Sequence, residues 1–176
     1  ASFAPEKIET GSTFIATEAR AQSVHWAFAP MVDLCRDPRW GRIVEGYGED
    51  PYLSGQCGAA VIRGYQGEDS SQPNRILACA KHFCGYGGSE GGRDYDGAEW
   101  SENTLRNMVL PPFQAAIQAD VATMMSSFND LGGSPVSGSA RWMQQWLRDE
   151  AGFTGAVVSD WGAITDLIEH GIAEDA

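Results

Sequence analysis

Four short apolar runs recur along the chain: Trp26 to Val32 (WAFAPMV), Ile76 to Ala80 (ILACA), Val121 to Ser126 (VATMMS) and Gly155 to Ser159 (GAVVS). None alternates strictly, which is the pattern of strands covered on both faces. Helical patterns lie between them. The first, about Ile8 to Val24, carries Ile8, Phe14, Ile15 and Ala19 at helical spacing. Asp50 before Pro51 predicts an N-cap and a helix to about Tyr65. Ser101 is placed to cap another, which Pro111-Pro112 must break or restart before it reaches Ala119. Ser139 is placed to cap a fourth, with Trp142, Met143, Trp146 and Leu147 on one face and Gly152 as its stop. Strands alternating with helices predict βα units, hence an α/β fold built on a parallel sheet.

Charge narrows the partners. The chain has 12 Lys+Arg against 24 Asp+Glu, a formal net charge of −12. That balance repels phosphate backbones and anionic lipid surfaces, and no basic run offsets it, so neither nucleic acid nor a membrane is an expected partner. No apolar stretch approaches the roughly 18 to 20 residues of a membrane span, and ASFAPEKIET lacks the regions of a signal peptide. The first residue is not Met, and the last segment stops inside an apolar stretch, Ala163 to Ile172. These ends suggest a piece of a longer chain.

Cys35, Cys57, Cys79 and Cys84 form no CxxC pair, so buried thiols are expected rather than a zinc or redox site. The three histidines are scattered without ligand spacing; no metal and no cofactor are expected, and His25 and His170 receive no function. Six of the 21 glycines, Gly85, Gly87, Gly88, Gly91, Gly92 and Gly97, fall in one stretch. An irregular loop is expected there, where backbone bends sharply or closely approaches another group.

Each apolar run ends in a polar cluster: Asp33 to Arg42, Lys81-His82, Ser127-Phe128-Asn129 and Asp160-Trp161. In parallel α/β folds ligands bind beyond the carboxyl ends of the strands, so the four clusters should converge on one mouth. Carboxylate, guanidinium, ammonium, imidazole and indole without a phosphate-type glycine loop suit a neutral polyhydroxylated ligand. Each residue also has a plainer reading. Asp160 could cap the next helix, Lys81-His82 could be a solvated cation beside a core imidazole, Arg39 and Arg42 could be surface ion pairs, and Trp161 could be packing.

Several long motifs carry a resemblance. FAPMVDLCRDPRWGRIVEGYGEDPYL (28–53), AKHFCGYGGSEGGRDY (80–95), LPPFQAAI (110–117), MMSSFNDLGGSPVSGS (124–139) and GFTGAVVSDWGAITDLIEHG (152–171) together resemble glycoside hydrolase family 3, of the bacterial β-glucosidase type. The resemblance implies that residues 1–176 are a fragment of the N-terminal (β/α)8 TIM-like barrel domain. It further implies release of terminal, non-reducing β-D-glucosyl residues with retention of configuration. Asp160 of SDW would be the nucleophile. Lys81 and His82 of KHF, Arg42 of DPRWGR and Trp161 would bind the sugar, and Arg39 would hold its loop. Phe128 joins the substrate-binding set, although many members carry Tyr there, and the hydroxyl that could support Asp160 is absent. A β-linked oligosaccharide or glycoside is the expected substrate, with a periplasmic or secreted location favoured over the cytoplasm.

Retaining hydrolysis needs a second carboxyl group about 5 to 5.5 Å from the nucleophile. The stretch GYGGSEGGRDYD contains no His to serve instead, so the resemblance implies an acid/base Glu in a C-terminal α/β sandwich domain outside this chain. A whole barrel takes roughly 250 residues, so about half of one is represented. A β-xylosidase of the same family is the alternative enzyme. A Schiff-base aldolase using Lys81 and a non-catalytic sugar-binding module are the rival classes.

Overall fold

The computed structural model describes residues 3–175, leaving the first two residues and the last of the expected 1–176 unit outside it. Strands β1 (Cys79–Phe83), β2 (Thr123–Ser126) and β5 (Ala156–Ser159) form a parallel sheet in that order. The 26–32 run lies along the free side of β1, joined by parallel bridges at Trp26–Leu77 and Met31–Lys81 rather than by a continuous ladder. Pro30 supplies no N–H to such a ladder, though its carbonyl accepts from Lys81. Successive strands are therefore neighbours, as in the wall of a parallel barrel.

The second strand lies three residues later than expected, at 79–83 instead of 76–80. Its early donors go elsewhere: Ile76 N–H bonds the Tyr65 carbonyl, and Ala78 N–H bonds the Gln66 side chain. Gln66 also accepts from Ala122 N–H and donates to the Asp120 carbonyl, tying the entries of β1 and β2 together. Lys81 and His82 consequently lie within β1 instead of following it.

Helix α1 (Pro5–Ala21) opens at its proline and closes before Ser23, whose φ of 64° leaves the helical region, so it sits earlier than the expected 8–24. Its apolar face also differs. Ser12 and Ala16 are the buried positions, whereas Phe14 and Ile15 are exposed. The cause is a close crossing with α2 (Pro51–Gln66): a Cβ on Gly64 would stand 2.5 Å from Ser12 Cβ, so only small side chains fit between the helices. Asp50 caps α2 as expected, accepting from Leu53 N–H at 2.6 Å.

Ser101 likewise caps α3 (Glu102–Thr104) by accepting from Thr104 N–H. Pro111-Pro112 do not interrupt the helical path. A π-type stretch, Leu105–Val109, leads directly into α4 (Leu110–Gln118), which restarts with the two prolines in its first turn, where their missing N–H groups cost no helical bond. Ser139 departs from expectation: its carbonyl accepts from Met143 N–H, and its side chain does not cap the π-type helix Arg141–Glu150. The short strands β3 (Asp130–Leu131) and β4 (Ser134–Pro135) form a hairpin after β2, and α5 (Asp166–Glu169) comes after β5.

The core lies between sheet and helices. Phe83 is fully buried, meeting Phe113 of α4 edge-on at 5.3 Å and Trp146 in a stack at 5.4 Å. A second apolar cluster, Met31, Cys35, Trp40, Tyr86, Phe128 and Ala163, sits at the strand tips. The glycine-rich loop packs tightly over it. A Cβ on Gly87 would lie 2.1 Å from the Leu34 carbonyl oxygen, and one on Gly92 would lie 2.9 Å from Trp40 N.

None of the four cysteines is in a disulfide, and all are buried. Among the described residues no group of three or more His, Cys, Asp or Glu could hold a metal ion, and no helix is long and apolar enough to cross a membrane.

Candidate active site

The register of β2 with β5 aligns Ser126 with Ser159, and Asp160 N–H continues the ladder to the Ser126 carbonyl at 3.0 Å. Asp160 therefore stands at the tip of β5 beside the end of β2, the strand that separates it from β1. Its Oδ1 accepts from Trp161 N–H at 2.7 Å. Its Oδ2 is buried and hydrogen-bonded to none of the described residues; His82 Nε2 lies 3.6 Å away.

His82 is held from behind. Asp33, at the end of the first apolar run, accepts through one oxygen, Oδ2, from His82 backbone N–H at 2.9 Å and approaches ring Nδ1 at 2.8 Å. On the other side of the ring, Arg42 Nη2 is 3.2 Å from Nε2. Arg42 donates in fork fashion to Glu45, at 2.7 and 2.9 Å, and Lys81 Nζ is 3.7 Å from the same carboxylate. The Arg42 hydrogen bond holds the Glu45 carboxyl below the usual range, against a smaller opposing effect of burial, with charge attraction to Arg42 and Lys81 adding to the depression.

The expected residues thus meet. Arg42, Lys81, His82 and Asp160 form one continuous polar cluster, but the two cations pair with Glu45, and the group nearest the unbonded Asp160 oxygen is His82. Arg39 pairs with Asp37 inside its own loop. Trp161 is 89% exposed, its ring outside the buried cluster. Phe128 is buried, edge-on to Tyr86 at 4.7 Å and stacked on Tyr95 at 4.6 Å.

Asp33, Glu45, Tyr86 and Asp94 are site residues that motif reasoning passed over. Tyr86 is the hub of the underlying rings, edge-on to His82 at 5.3 Å and Trp40 at 5.1 Å, with the Arg42 guanidinium 5.6 Å above it. Its hydroxyl and Trp40 Nε1 both donate to Asp94, which anchors the glycine-rich loop. Burial first, then the bond to Asp94, pushes the Tyr86 hydroxyl well above its ordinary range. One signal was available for Asp33: it follows an apolar run directly, as Asp160 does.

The model of the glycosyl hydrolase family 3 N-terminal domain matches residues 1–176. The chain belongs to glycosyl hydrolase family 3. It is 39% identical over 174 residues to a periplasmic beta-glucosidase of Salmonella typhimurium, covering 99% of this chain and 23% of that protein. To a beta-xylosidase of Formosa agariphila it is 40% identical over 176 residues, covering 97% and 24%. The crystal structure of a beta-glucosidase from Listeria innocua matches with a TM-score of 0.95 at 40% identity, over 98% of this chain and 24% of that one. The chain spans about a quarter of the length of these family 3 relatives. Its three parallel strands, with the 26–32 segment bridged alongside β1, are part of the family's TIM-like barrel wall.

Proposed function

We propose that this chain supplies the nucleophile-bearing part of a retaining β-glycosidase acting on terminal β-D-glucosyl residues, within a longer protein. The observation that carries the reading is Asp160 Oδ2: a buried carboxylate oxygen bonded to none of the described residues, at the tip of a parallel strand, with His82, Arg42 and Lys81 clustered beside it. A buried acceptor left without a donor is costly and calls for a functional reason. An oxygen with an undonated lone pair can attack an anomeric carbon.

Under this reading Arg42, Lys81 and His82 hold ring hydroxyls, and hydrogen bonds to the hydroxyl beside the anomeric carbon strengthen as the ring flattens toward an oxocarbenium ion. Trp161, exposed just beyond the nucleophile, offers a face to the leaving sugar. Phe128 acts from below, by supporting Tyr86 and Tyr95. Glu45 suits charge balance better than proton donation, because its carboxyl is held in the ionised form. The acid/base carboxyl is assigned, as the family resemblance implies, to a C-terminal α/β sandwich domain of the longer protein.

The Listeria innocua beta-glucosidase has been crystallised with glucose and with gluconolactone, and a mutant of it with laminaribiose, which supports a glucosyl unit as the ligand here. Identities of 39% to a beta-glucosidase and 40% to a beta-xylosidase do not separate the two sugars. The test is turnover of aryl β-glucosides and β-xylosides by the full-length protein, followed by mass mapping after a 2-fluoro-glycoside inactivator. Label on Asp160 is expected; label on another residue, or sugar binding without any turnover, would remove Asp160 from the role.

A further inference from the structure

The two ring nitrogens of His82 have chemically opposite neighbours. Nδ1 faces Asp33 Oδ2 at 2.8 Å, an atom that only accepts when ionised. Nε2 faces Arg42 Nη2 at 3.2 Å, which only donates, and Asp160 Oδ2 at 3.6 Å, beyond hydrogen-bonding range. A ring with its hydrogen on Nδ1 satisfies Asp33 and gives its Nε2 lone pair to Arg42. The opposite tautomer would set N–H against a guanidinium and a lone pair against a carboxylate. It would also turn an N–H toward Asp160 Oδ2, 3.6 Å away.

We infer that Asp33 is a positioning residue: by accepting from both the backbone and the ring of His82, it fixes the Nδ1–H tautomer, aims an acceptor at Arg42 and keeps the attacking oxygen of Asp160 uncapped. Several features make this assignment specific. The side chains of Asp33 and His82 are each 1% exposed, so water does not compete for the contact. One oxygen takes both bonds, which locks the ring to its own backbone. Tyr86 closes on the ring edge-on and restricts its rotation. The kinetic consequence rests on the glycosidase reading, whereas the tautomer does not.

The test uses the full-length protein with 15N-labelled histidine. In the wild type the His82 ring spectrum is expected to report hydrogen on Nδ1. Asp33→Asn presents an amide that can donate to Nδ1, which turns the ring to the Nε2–H form, sets that N–H against the Arg42 guanidinium and points it toward Asp160 Oδ2. The kcat/KM on an aryl glycoside should then fall about 10- to 100-fold, the scale of a hydrogen bond to a charged group. Asp33→Asn should cost nothing further in a His82→Ala background, because the two act as a unit. A wild-type ring protonated at Nε2 overturns the inference, as do losses that multiply in the double variant. If Asp33→Asn does not fold, the wild-type ring spectrum still decides. If the wild-type protein turns over no glycoside, the functional reading fails while the ring spectrum continues to test the positioning.

Discussion

Glu45 grips the Arg42 guanidinium with both carboxylate oxygens, at 2.7 and 2.9 Å, and sits 3.7 Å from Lys81 Nζ. One carboxylate thus holds together two cations that would otherwise repel beside the proposed nucleophile. Its folded pKa is depressed, chiefly by the Arg42 bond, so the pair is intact above the ordinary glutamate range of about 4.3 and is lost only as pH falls through a still lower value. Glu45→Gln removes the charge at every pH. KM for an aryl glycoside should rise about two- to fivefold, the scale of a partly exposed ion pair. An unchanged KM would show that Glu45 does not organise the cations.

Asp160→Asn should separate activity from stability. Turnover should fall by about 10⁴-fold or more, because an amide is no nucleophile and the step it serves has no substitute. The melting temperature should hold or rise. The buried Oδ2 has no donor among the described residues, so replacing its carboxylate relieves a cost instead of breaking a bond. Thermal unfolding of both forms checks this, and a drop of more than a few degrees would mean that Asp160 is a structural cap.

The packing of the glycine-rich loop gives a paired test. An added methyl on Gly87 would meet the Leu34 carbonyl oxygen at 2.1 Å, and backbone on both sides prevents relief. Gly87→Ala should cost at least about 1 to 3 kcal/mol in denaturant unfolding. Gly41, in a neighbouring loop, has open space within 4 Å of its virtual Cβ, and Gly41→Ala should change stability by no more than about 0.5 kcal/mol. Equal effects at the two positions would contradict the close approach.

The order of strands and helices was legible because it rests on local chemistry: the Asp50 cap forms as its residues demand, and the 121–126 and 155–159 runs carry β2 and β5. The convergence of the polar clusters followed from strand-tip geometry, and the motif resemblance singled out Arg42, Lys81, His82 and Asp160 within them. What escaped was set by partners distant in sequence. Gln66 takes the donor of Ala78, and this delays β1. The narrow crossing at Gly64 turns Phe14 outward. Glu45 reads as one more acidic loop residue until the fold sets it between two cations, and Asp33 shows no role until β1 brings His82 against it.

The thiols give a final test, of burial rather than of chemistry. Burial pushes Cys84 well above its ordinary range and Cys79 to about 11, and it raises Cys35 and Cys57 too. The reactive species is the thiolate, so native protein at pH 8 should resist iodoacetamide at all four positions, while denatured protein should react at each. The raised values also couple to stability. A thiol that stays protonated in the fold but ionises at about 8.5 when unfolded contributes stability below that pH, and the contribution fades as pH climbs through the folded value. Denaturant midpoints should therefore decline between about pH 8.5 and pH 11, and Cys79→Ser should flatten part of that slope. Rapid native alkylation of Cys79 at pH 8 would mean that β1 opens far more readily than its buried position implies.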